Sequence, residues 1–200
     1  MPKLSDAAIG ERERVILEGA RRCFLKLGFH GASMQDICRE AKVSPGALYL
    51  YFRSKEDLIA GIAEQDCDAV LHDFAEAGHA GDIGAALRDL FRSCLVERPR
   101  DDAVFFLQIA EEARRNPRVA EIQRRCDGAI HEALRGIVER GVAAGEIAPR
   151  HGVEATVSVM ETLAHGLMTR RAGEPDFDPA ATAEPLLALL GDLLGVRETA

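Results

Sequence analysis

Residues Ser33 to Lys55 read SMQDICREAKVSPGALYLYFRSK, and this stretch decides the fold at the front of the chain. Ser33 and Ser54 are each followed three residues later by an aspartate. That is the spacing of a capping box, in which a hydroxyl and a carboxylate satisfy free backbone amides at the start of a helix. Ser44 precedes a proline, which suits a first helical turn because its missing N–H would have no partner there. The stretch therefore predicts two short helices joined by a tight turn, with a third helix directly after them.

The residues of this stretch divide into an apolar set and an outward set. The apolar set can meet on one inner side, which leaves small residues and two tyrosines outside. This outer surface is unusual for contact with water but suits a groove of DNA. The inner residues are Ile37, Ala41, Val43, Leu48 and Phe52, and the outer residues are Pro45, Gly46, Ala47, Tyr49 and Tyr51.

The same residues resemble the DNA-binding helix-turn-helix of the tetracycline-repressor (TetR) family. The detailed resemblance covers roughly residues 11 to 60, and beyond them only length and helical pattern match. The matching positions are Val43-Ser44-x-Gly46-x-Leu48-Tyr49-x-Tyr51-Phe52, then Ser54-Lys55-Glu56-x-Leu58, and upstream Ile16, Ala20, Phe24, Gly28, Phe29 and Ala32.

The resemblance implies that the second helix of the motif enters the major groove. The two tyrosines and Lys55 would contact phosphates, and Ser33 would do so from the start of the preceding helix. The small residues at the front of the inserted helix carry no side-chain donor, so Gln35 and Arg39 are the long polar candidates for base edges. The predicted DNA contacts are Ser33, Gln35, Arg39, Ser44, Pro45, Gly46, Ala47, Tyr49, Tyr51 and Lys55.

The distribution of charge supports a DNA-binding front end. The whole chain has a formal net charge of −8, but residues 1–55 contain ten Lys and Arg against six Asp and Glu. The remaining residues contain fifteen against twenty-seven. Because only the front is basic, phosphate is expected to meet that end alone. Together with the resemblance, this charge distribution predicts a helix-turn-helix DNA-binding domain over 1–55 and an effector-binding and dimerisation domain over 56–200.

Apolar residues recur at helical spacing almost throughout, and no convincing alternating strand is present. The pattern predicts an all-α fold of about nine helices, three in the DNA-binding unit and six in the body. The clearest segments are 11–27, 33–40, 45–51, Ser54 to beyond residue 70, a helix ended by Pro99, one ending before Asn116-Pro117, then 117–143, 151–171 and 180–194.

The last two helices are predicted to form a dimer interface. The final helix is apolar over more than one face and therefore needs two neighbours, one of which can be a second chain. The resemblance implies a four-helix interface across a two-fold axis, and the alternative is a helix buried within its own subunit. The predicted interface residues are Val157, Met160, Ala164, Leu167, Met168, Leu186, Leu190 and Leu193.

The resemblance also implies a cavity for a small effector between the fourth helix and the long helix near 117–143. Taken singly, each candidate fits a core position more readily than a ligand contact. The scarcity of aromatic residues disfavours a cage for a quaternary ammonium, so a lipophilic or modestly polar effector is expected. The candidate lining residues are Cys67, Leu71, Phe74, Phe91, Cys94, Phe105, Ile109, Cys126, Ile130, Leu134 and His165.

Several other kinds of site are not expected. Five cysteines without a C-x-x-C indicate neither a zinc module nor a disulfide framework. Asp68 and His72 lie one helical turn apart and are expected to be surface residues rather than metal ligands. No catalytic motif is present, so we predict neither an enzyme nor a cofactor. With no apolar run of about 18 residues and no secretory signal core, the cytoplasm is the expected location.

Together with these observations, the resemblance to the TetR family implies a homodimeric repressor that a small molecule releases from a palindromic operator. Two alternatives remain open. One is a DNA-binding regulator that responds to thiol oxidation, for which Cys38 in the DNA-binding unit is the candidate. The other is a helical protein-interaction adaptor that does not bind DNA.

Overall fold

In the computed structural model, residues 6–79 and 81–196 are described, and they are helical almost throughout. The all-α prediction is confirmed for these residues, which form nine α-helices and one π-helical turn. None of these helices combines the length and the apolar character needed to cross a membrane. The elements are α1 (Asp6–Gly31), α2 (Met34–Ala41), α3 (Pro45–Tyr51), α4 (Lys55–Ala77), α5 (Ile83–Arg92), the π-helical turn (Ser93–Glu97), α6 (Arg100–Ala113), α7 (Pro117–Ala143), α8 (Val153–Gly173) and α9 (Pro179–Leu194).

The serines found in the sequence do begin helices. Ser33 forms a complete capping box with Asp36 at the start of α2. The Ser44 hydroxyl accepts a hydrogen bond from the backbone N–H of the third residue of α3 at 3.2 Å. The Ser54 hydroxyl accepts an equivalent bond at 3.1 Å at the start of α4. Each cap satisfies an amide that a helix start leaves free, so the local sequence fixes where these helices begin.

Two helix boundaries differ from the sequence-based prediction. α1 begins at Asp6 and continues to Gly31, although the predicted stop at Gly28 is visible as a kink, with φ of 71°. After α5 the chain continues into the π-helical turn, which the 3.6-residue period of the sequence did not indicate. The N–H of Arg98 closes this turn by donating to the carbonyl of Ser93 at 3.3 Å.

The described residues divide into two compact units. The first, here called the reading unit, comprises the residues up to Asp66 together with Gln108–Gln123. The second, the body unit, comprises Cys67–Leu107 and the residues from Arg124 onward. Three helices, α4, α6 and α7, each run from one unit into the other. The predicted domain boundary after residue 55 stays a prediction.

The core of the reading unit depends on a close approach between α1 and α2. A Cβ atom added to Gly19 of α1 would lie 2.5 Å from the Cβ of Ala41 in α2, so a side chain has no room there. Beside this contact, Glu40 accepts hydrogen bonds from Arg22 at 3.1 Å and from Lys26 at 2.9 Å. The large side chains buried in this unit include Ile16, Phe24, Ile37, Leu48, Leu58 and Ile59.

The core of the body unit is formed mainly by α5, α7, α8 and α9. Its largest fully buried side chains are Leu87, Phe105, Ile137, Ile147 and Met160, which come from five different segments, so the helices of this unit share one core. The buried cluster comprises Ile83, Leu87, Phe91, Leu134, Ile137, Val138, Ile147, Val157, Met160, Leu167, Leu187, Leu190 and Leu194.

A disulfide in the body unit corrects the expectation that no cysteines pair. Cys67 of α4 is bonded to Cys126 of α7, with 5.7 Å between their Cα atoms. The two residues are 59 positions apart, so sequence spacing could not show that their helices run side by side. Cys23 and Cys38 are buried free thiols, and Cys94 is a half-buried one.

A polar contact on the body unit joins α7 to α8. The ring of His131 lies 3.2 Å from the carboxylate of Glu161 and 3.4 Å from that of Glu154. Arg135, one turn further along α7, lies 3.9 Å from Glu154. The hydrogen bond to Glu161, together with the negative charges of both glutamates, raises the pKa of His131 above its ordinary value of 6.5.

We predict that Gly19→Ala destabilises the reading unit. The added methyl group would overlap Ala41 and force the two helices apart, at a cost of about 1–3 kcal/mol in the free energy of unfolding. Urea denaturation followed by circular dichroism measures this loss. Gly10→Ala is the matched control because Gly10 lies on the same helix with nothing within 4 Å of its Cβ position. There, alanine should stabilise the protein slightly, and equal effects at the two sites would contradict the packing argument.

We predict that the His131 contact makes stability depend on pH. Because folding raises this pKa, the contact stabilises the fold fully below about pH 6.5 and loses that effect as pH rises through the folded value. The free energy of unfolding should therefore fall between pH 6 and pH 8, and His131→Gln should reduce this dependence. His151→Gln, at an exposed position of the same unit, is the control. An identical pH profile for wild type and His131→Gln would refute the assignment.

Candidate nucleic-acid interface

The turn between α2 and α3 sets the direction of α3. Lys42 adopts a left-handed conformation, with φ of 56°, and its N–H donates to the carbonyl of Arg39 at 3.3 Å. The next amide, that of Val43, donates to the carbonyl of Cys38 at 3.0 Å. After this turn, the Leu48 side chain on the inner side of α3 is buried. The opposite side of α3 is consequently left on the surface of the reading unit.

The outer surface of α3 matches only part of the predicted set. Pro45 and Gly46 are exposed, and the Tyr49 side chain is 51 % exposed. Ala47 and Tyr51 are half-buried. The most exposed large apolar side chain is Leu50, at 76 %, which the sequence analysis did not select. An apolar residue within a helix normally indicates core, so only the neighbouring buried Leu48 could have suggested that Leu50 points outward.

Ion pairing determines which cations of the reading unit are available for phosphate. Arg22 and Lys26 are paired with Glu40, and Arg39 is paired with Asp36. By contrast, Lys42 and Arg53 are exposed, and neither side chain contacts a carboxylate within the described part of the chain. The two free cations flank α3, one in the turn before it and one directly after it.

Lys55, predicted to bind phosphate, already has partners within the reading unit. Its ammonium donates to the carbonyl of Phe29 at 2.8 Å and lies 3.3 Å from that of His30. It also sits 5.0 Å from the centre of the Phe29 ring. Lys55 therefore caps the end of α1, whose carbonyls attract a cation. Its phosphate contact remains a prediction.

The polar residues at the start of α2 and within it differ in their hydrogen bonds and in their exposure. The Ser33 hydroxyl accepts from the N–H of Asp36 at 3.2 Å and donates to the carboxylate of the same residue. The hydrogen bonds from Ser33, with a contribution from Arg39, lower the pKa of Asp36 and keep it ionised. Gln35 and Arg39 are exposed and can reach outward. Ser33 thus has a structural role whether or not it meets DNA.

Cys38 is poorly placed to sense oxidants. Its side chain is buried within α2, and burial raises the pKa of the thiol. Because the thiolate is the nucleophile, a raised pKa lowers reactivity toward peroxide. The alternative of a redox sensor at Cys38 is not supported by this geometry.

A second basic segment of the reading unit comes from a distant part of the sequence. The guanidinium of Arg115, at the end of α6, lies 3.1 Å from the Nε2 atom of His30 in α1. At the start of α7, Arg118 is hydrogen-bonded to Asp57 of α4. These contacts fasten the corner between α6 and α7 to α1 and α4, which sequence periodicity could not indicate.

The predicted effector-pocket residues do not all meet. Phe105 is fully buried, whereas His165 is exposed, with its ring 5.4 Å from that of Phe106. Ile109 belongs to the reading unit rather than to the body unit. Four of the predicted residues do share the body core. Those four are Phe91 and Leu134, which are buried in the core cluster, and Phe74 and Cys94, which pack against it.

The remaining pocket candidates lie on the facing helices α4 and α7. Cys67 and Cys126 form the disulfide, and Leu71 and Ile130, one turn further along each helix, are half-buried. Whether any of these residues contacts a ligand stays a prediction. Within the described residues, no group of three or more His, Cys, Asp or Glu side chains is arranged to hold a metal ion.

The predicted dimer residues lie on the inner faces of α8 and α9. The other faces of these helices remain on the surface, where Val159 is 43 % and Leu189 is 59 % exposed. Four predicted residues are therefore core residues of their own chain, and four pack against that core. The first four are Val157, Met160, Leu167 and Leu190, and the second four are Ala164, Met168, Leu186 and Leu193.

Comparison with known proteins agrees with this arrangement. Residues 16–62 match the family model described as bacterial regulatory proteins of the tetR family. Residues 84–195 match the model of the C-terminal part of BetI-type transcriptional repressors. Among curated proteins, the HTH-type transcriptional regulator UidR of Escherichia coli K12 is 31 % identical over 182 residues, which cover 90 % of this chain and 91 % of UidR.

Solved structures show the same fold. Salmonella enterica GusR is 28 % identical and superposes with a TM-score of 0.77, over 96 % of this chain and 99 % of that chain. The regulator FadR of Bacillus subtilis, solved in complex with stearoyl-CoA, is 19 % identical, with a TM-score of 0.75 over 92 % of this chain and 99 % of that one. The curated relatives are transcriptional regulators and not enzymes.

Proposed function

The chain belongs to the TetR family of bacterial regulatory proteins, and we propose that it is a homodimeric repressor released from a palindromic operator by a small effector. The observation that carries this proposal is the surface of α3. Leu48 anchors the helix from below, while Pro45, Gly46 and Tyr49 are exposed on a stable three-helix support. A short helix presented in this way fits the major groove of DNA.

The phosphate contacts follow from the exposed polar and basic groups around α3. Tyr49 can donate its hydroxyl to a phosphate oxygen, and Lys42 and Arg53 supply charge on either side of the helix. Arg39 can leave its ion pair with Asp36 to reach DNA as well, because an exposed ion pair is worth only about 0–1 kcal/mol and is readily exchanged.

Base reading rests on small and apolar groups. Pro45 and Gly46 permit close approach of the backbone, and the exposed Leu50 offers an apolar contact of the kind that suits the methyl group of thymine. Gln35 and Arg39 supply hydrogen bonds to base edges. Since few donors are available, sequence-dependent shape of the operator should contribute to specificity.

Dimer formation is assigned to the outer faces of α8 and α9. Both carry exposed apolar side chains, Val159 and Leu189, each next to an exposed small residue, Ser158 and Ala188. Val157, Met160, Leu167 and Leu190 fill the core of their own subunit, whereas the half-buried Ala164, Met168, Leu186 and Leu193 can still contribute to the interface at its edge. A two-fold dimer would present two copies of α3 to the two halves of an inverted repeat.

The effector is assigned to the body unit, near the facing parts of α4 and α7. Half-buried apolar side chains on both helices, including Leu71 and Ile130, favour a lipophilic or modestly polar molecule. Stearoyl-CoA bound to FadR shows that this fold can hold a ligand with a long apolar part. Because α4 continues from the body unit into the reading unit, a ligand that tilts α4 would change the separation of the two α3 helices. A differential affinity of about 1–3 kcal/mol would change DNA binding about 5- to 150-fold.

Selection from a random-sequence duplex library at about 150 mM salt tests this function, because nonspecific phosphate binding is weak there. We expect enrichment of an inverted repeat whose half-sites are about 10 base pairs apart or a multiple of that. Failure to enrich any sequence, with a folded dimer in solution, would refute the repressor and favour the adaptor alternative. The enriched sequence then serves as the operator in effector screens.

We predict that Arg53→Ala weakens operator binding and reduces the slope of log affinity against log salt by about one unit, as expected for a lost phosphate contact. Fluorescence anisotropy over a salt series measures both. Arg150→Ala, at an exposed arginine of the body unit, should leave the slope unchanged. A slope that Arg53→Ala does not alter would exclude this contact.

Lys55→Ala separates the two roles of that lysine. Loss of its hydrogen bonds to the end of α1 should lower the free energy of unfolding, which denaturation measures. If the ammonium also meets phosphate, the salt slope falls by about one unit as well. A stability loss with an unchanged slope would assign Lys55 to structure alone.

A further inference from the structure

The disulfide between Cys67 and Cys126 joins two helices that connect the units of the molecule. The Cα separation of 5.7 Å lies in the range that an ordinary disulfide requires. Cys67 is 8 % exposed and Cys126 is half-buried, so the pair lies within reach of small reagents on the Cys126 side.

The position of this bond along both helices is informative. α4 leaves the reading unit after Asp66, and α7 leaves it after Gln123. Cys67 is therefore the first residue of α4 in the body unit, and Cys126 is the third residue of α7 there. The bond fastens the two helices to each other directly beyond the point where each leaves the reading unit.

We propose that Cys67 and Cys126 form a reversible thiol–disulfide switch that regulates DNA binding, with a hydroperoxide as the oxidant. This inference rests on the proposed repressor function. It differs from the Cys38 alternative because the responsive pair lies in the body unit and acts through α4 and α7 rather than through the surface that reads DNA.

The chemistry balances without further components. The thiolate of Cys126, the more exposed of the two, attacks the O–O bond of the peroxide, so that an S–O bond forms and hydroxide leaves. The Cys67 thiolate then attacks the sulfenic sulfur, the S–S bond forms, and a second hydroxide leaves. The two thiol protons convert both hydroxides to water. Two electrons pass from the sulfurs to hydrogen peroxide, and a dithiol reductant reverses the change.

The redox environment of such a protein favours a reversible disulfide over a permanent structural one. Regulators of bacterial chromosomal DNA work where thiols are kept reduced, and a disulfide formed there is usually transient and redox-sensing. The other cysteines are poor competitors for oxidant. Burial raises the pKa of the Cys23, Cys38 and Cys94 thiols, which lowers their thiolate fraction.

The expected consequence is a loss of operator affinity on oxidation. Bound DNA imposes its own half-site spacing on the two copies of α3. In the dithiol form, α4 can shift against α7 to meet that spacing. In the disulfide form this adjustment is blocked within each subunit, so we expect affinity to fall at least about fivefold, the lower range of such responses.

The test compares the full chain after complete reduction and after treatment with hydrogen peroxide. Peptide mapping without reductant should show the peptides of Cys67 and Cys126 joined, and anisotropy on the selected operator should show the loss of affinity. A dithiol should restore both. Cys67→Ser and Cys126→Ser should each bind as the reduced wild type does and should not respond to peroxide. Cys94→Ser should respond normally, as the matched control at a half-buried free thiol.

Four outcomes would overturn the proposal or separate it from the repressor function. Peptides that stay unlinked after peroxide would refute the disulfide chemistry. Equal affinities of the two forms would refute the regulation, and tighter binding by the disulfide form would refute its direction. If neither form nor any variant selects a DNA sequence, the repressor function fails and the regulation with it, while linked peptides would still establish the redox pair.

Discussion

The contact of Gly19 with Ala41 is the constraint on which the reading unit depends. Because Gly19 has no side chain, the last turn of α2 lies directly against α1. That closeness places Glu40 beside Arg22 and Lys26 and fixes the direction in which α2 ends. The left-handed turn at Lys42 then sets the course of α3. The orientation of α3, the helix proposed to face DNA, is thus determined by the packing of α2 against α1.

Fewer cations of the reading unit are free to attract phosphate than the count of Lys and Arg indicates. The surplus of Lys and Arg over the front of the chain includes several α1 cations that carboxylates already neutralise, among them Arg14 and Arg22. In the proposed complex with DNA, attraction to phosphate would therefore come chiefly from unpaired cations near α3. Lys42 and Arg53 lie where that charge acts at shortest range, and screening at physiological salt makes such short-range charge decisive.

The sequence predicts well those features that depend on local chemistry and poorly those that depend on distant partners. The caps at Ser33, Ser44 and Ser54 and the burial of Leu48 follow from neighbouring residues, and the structure confirms them. Periodicity identifies the apolar faces of α8 and α9 but not what covers them, so the contact of the predicted dimer residues with a second chain stays a prediction. The disulfide was missed because nothing local reveals that α4 and α7 lie side by side.

The same two helices carry both proposed signals, which makes the signals interdependent. Effector and oxidant are each assigned to the facing parts of α4 and α7. With 5.7 Å between the Cα atoms of Cys67 and Cys126, no molecule can lie between the helices at that level while the bond is closed. A ligand that separates the two helices must therefore oppose disulfide formation. Because such linkage is reciprocal, the disulfide must lower the affinity for that ligand by the same factor by which the ligand disfavours the disulfide. Oxidation would then lower DNA binding on its own and would also limit how far the effector can move α4.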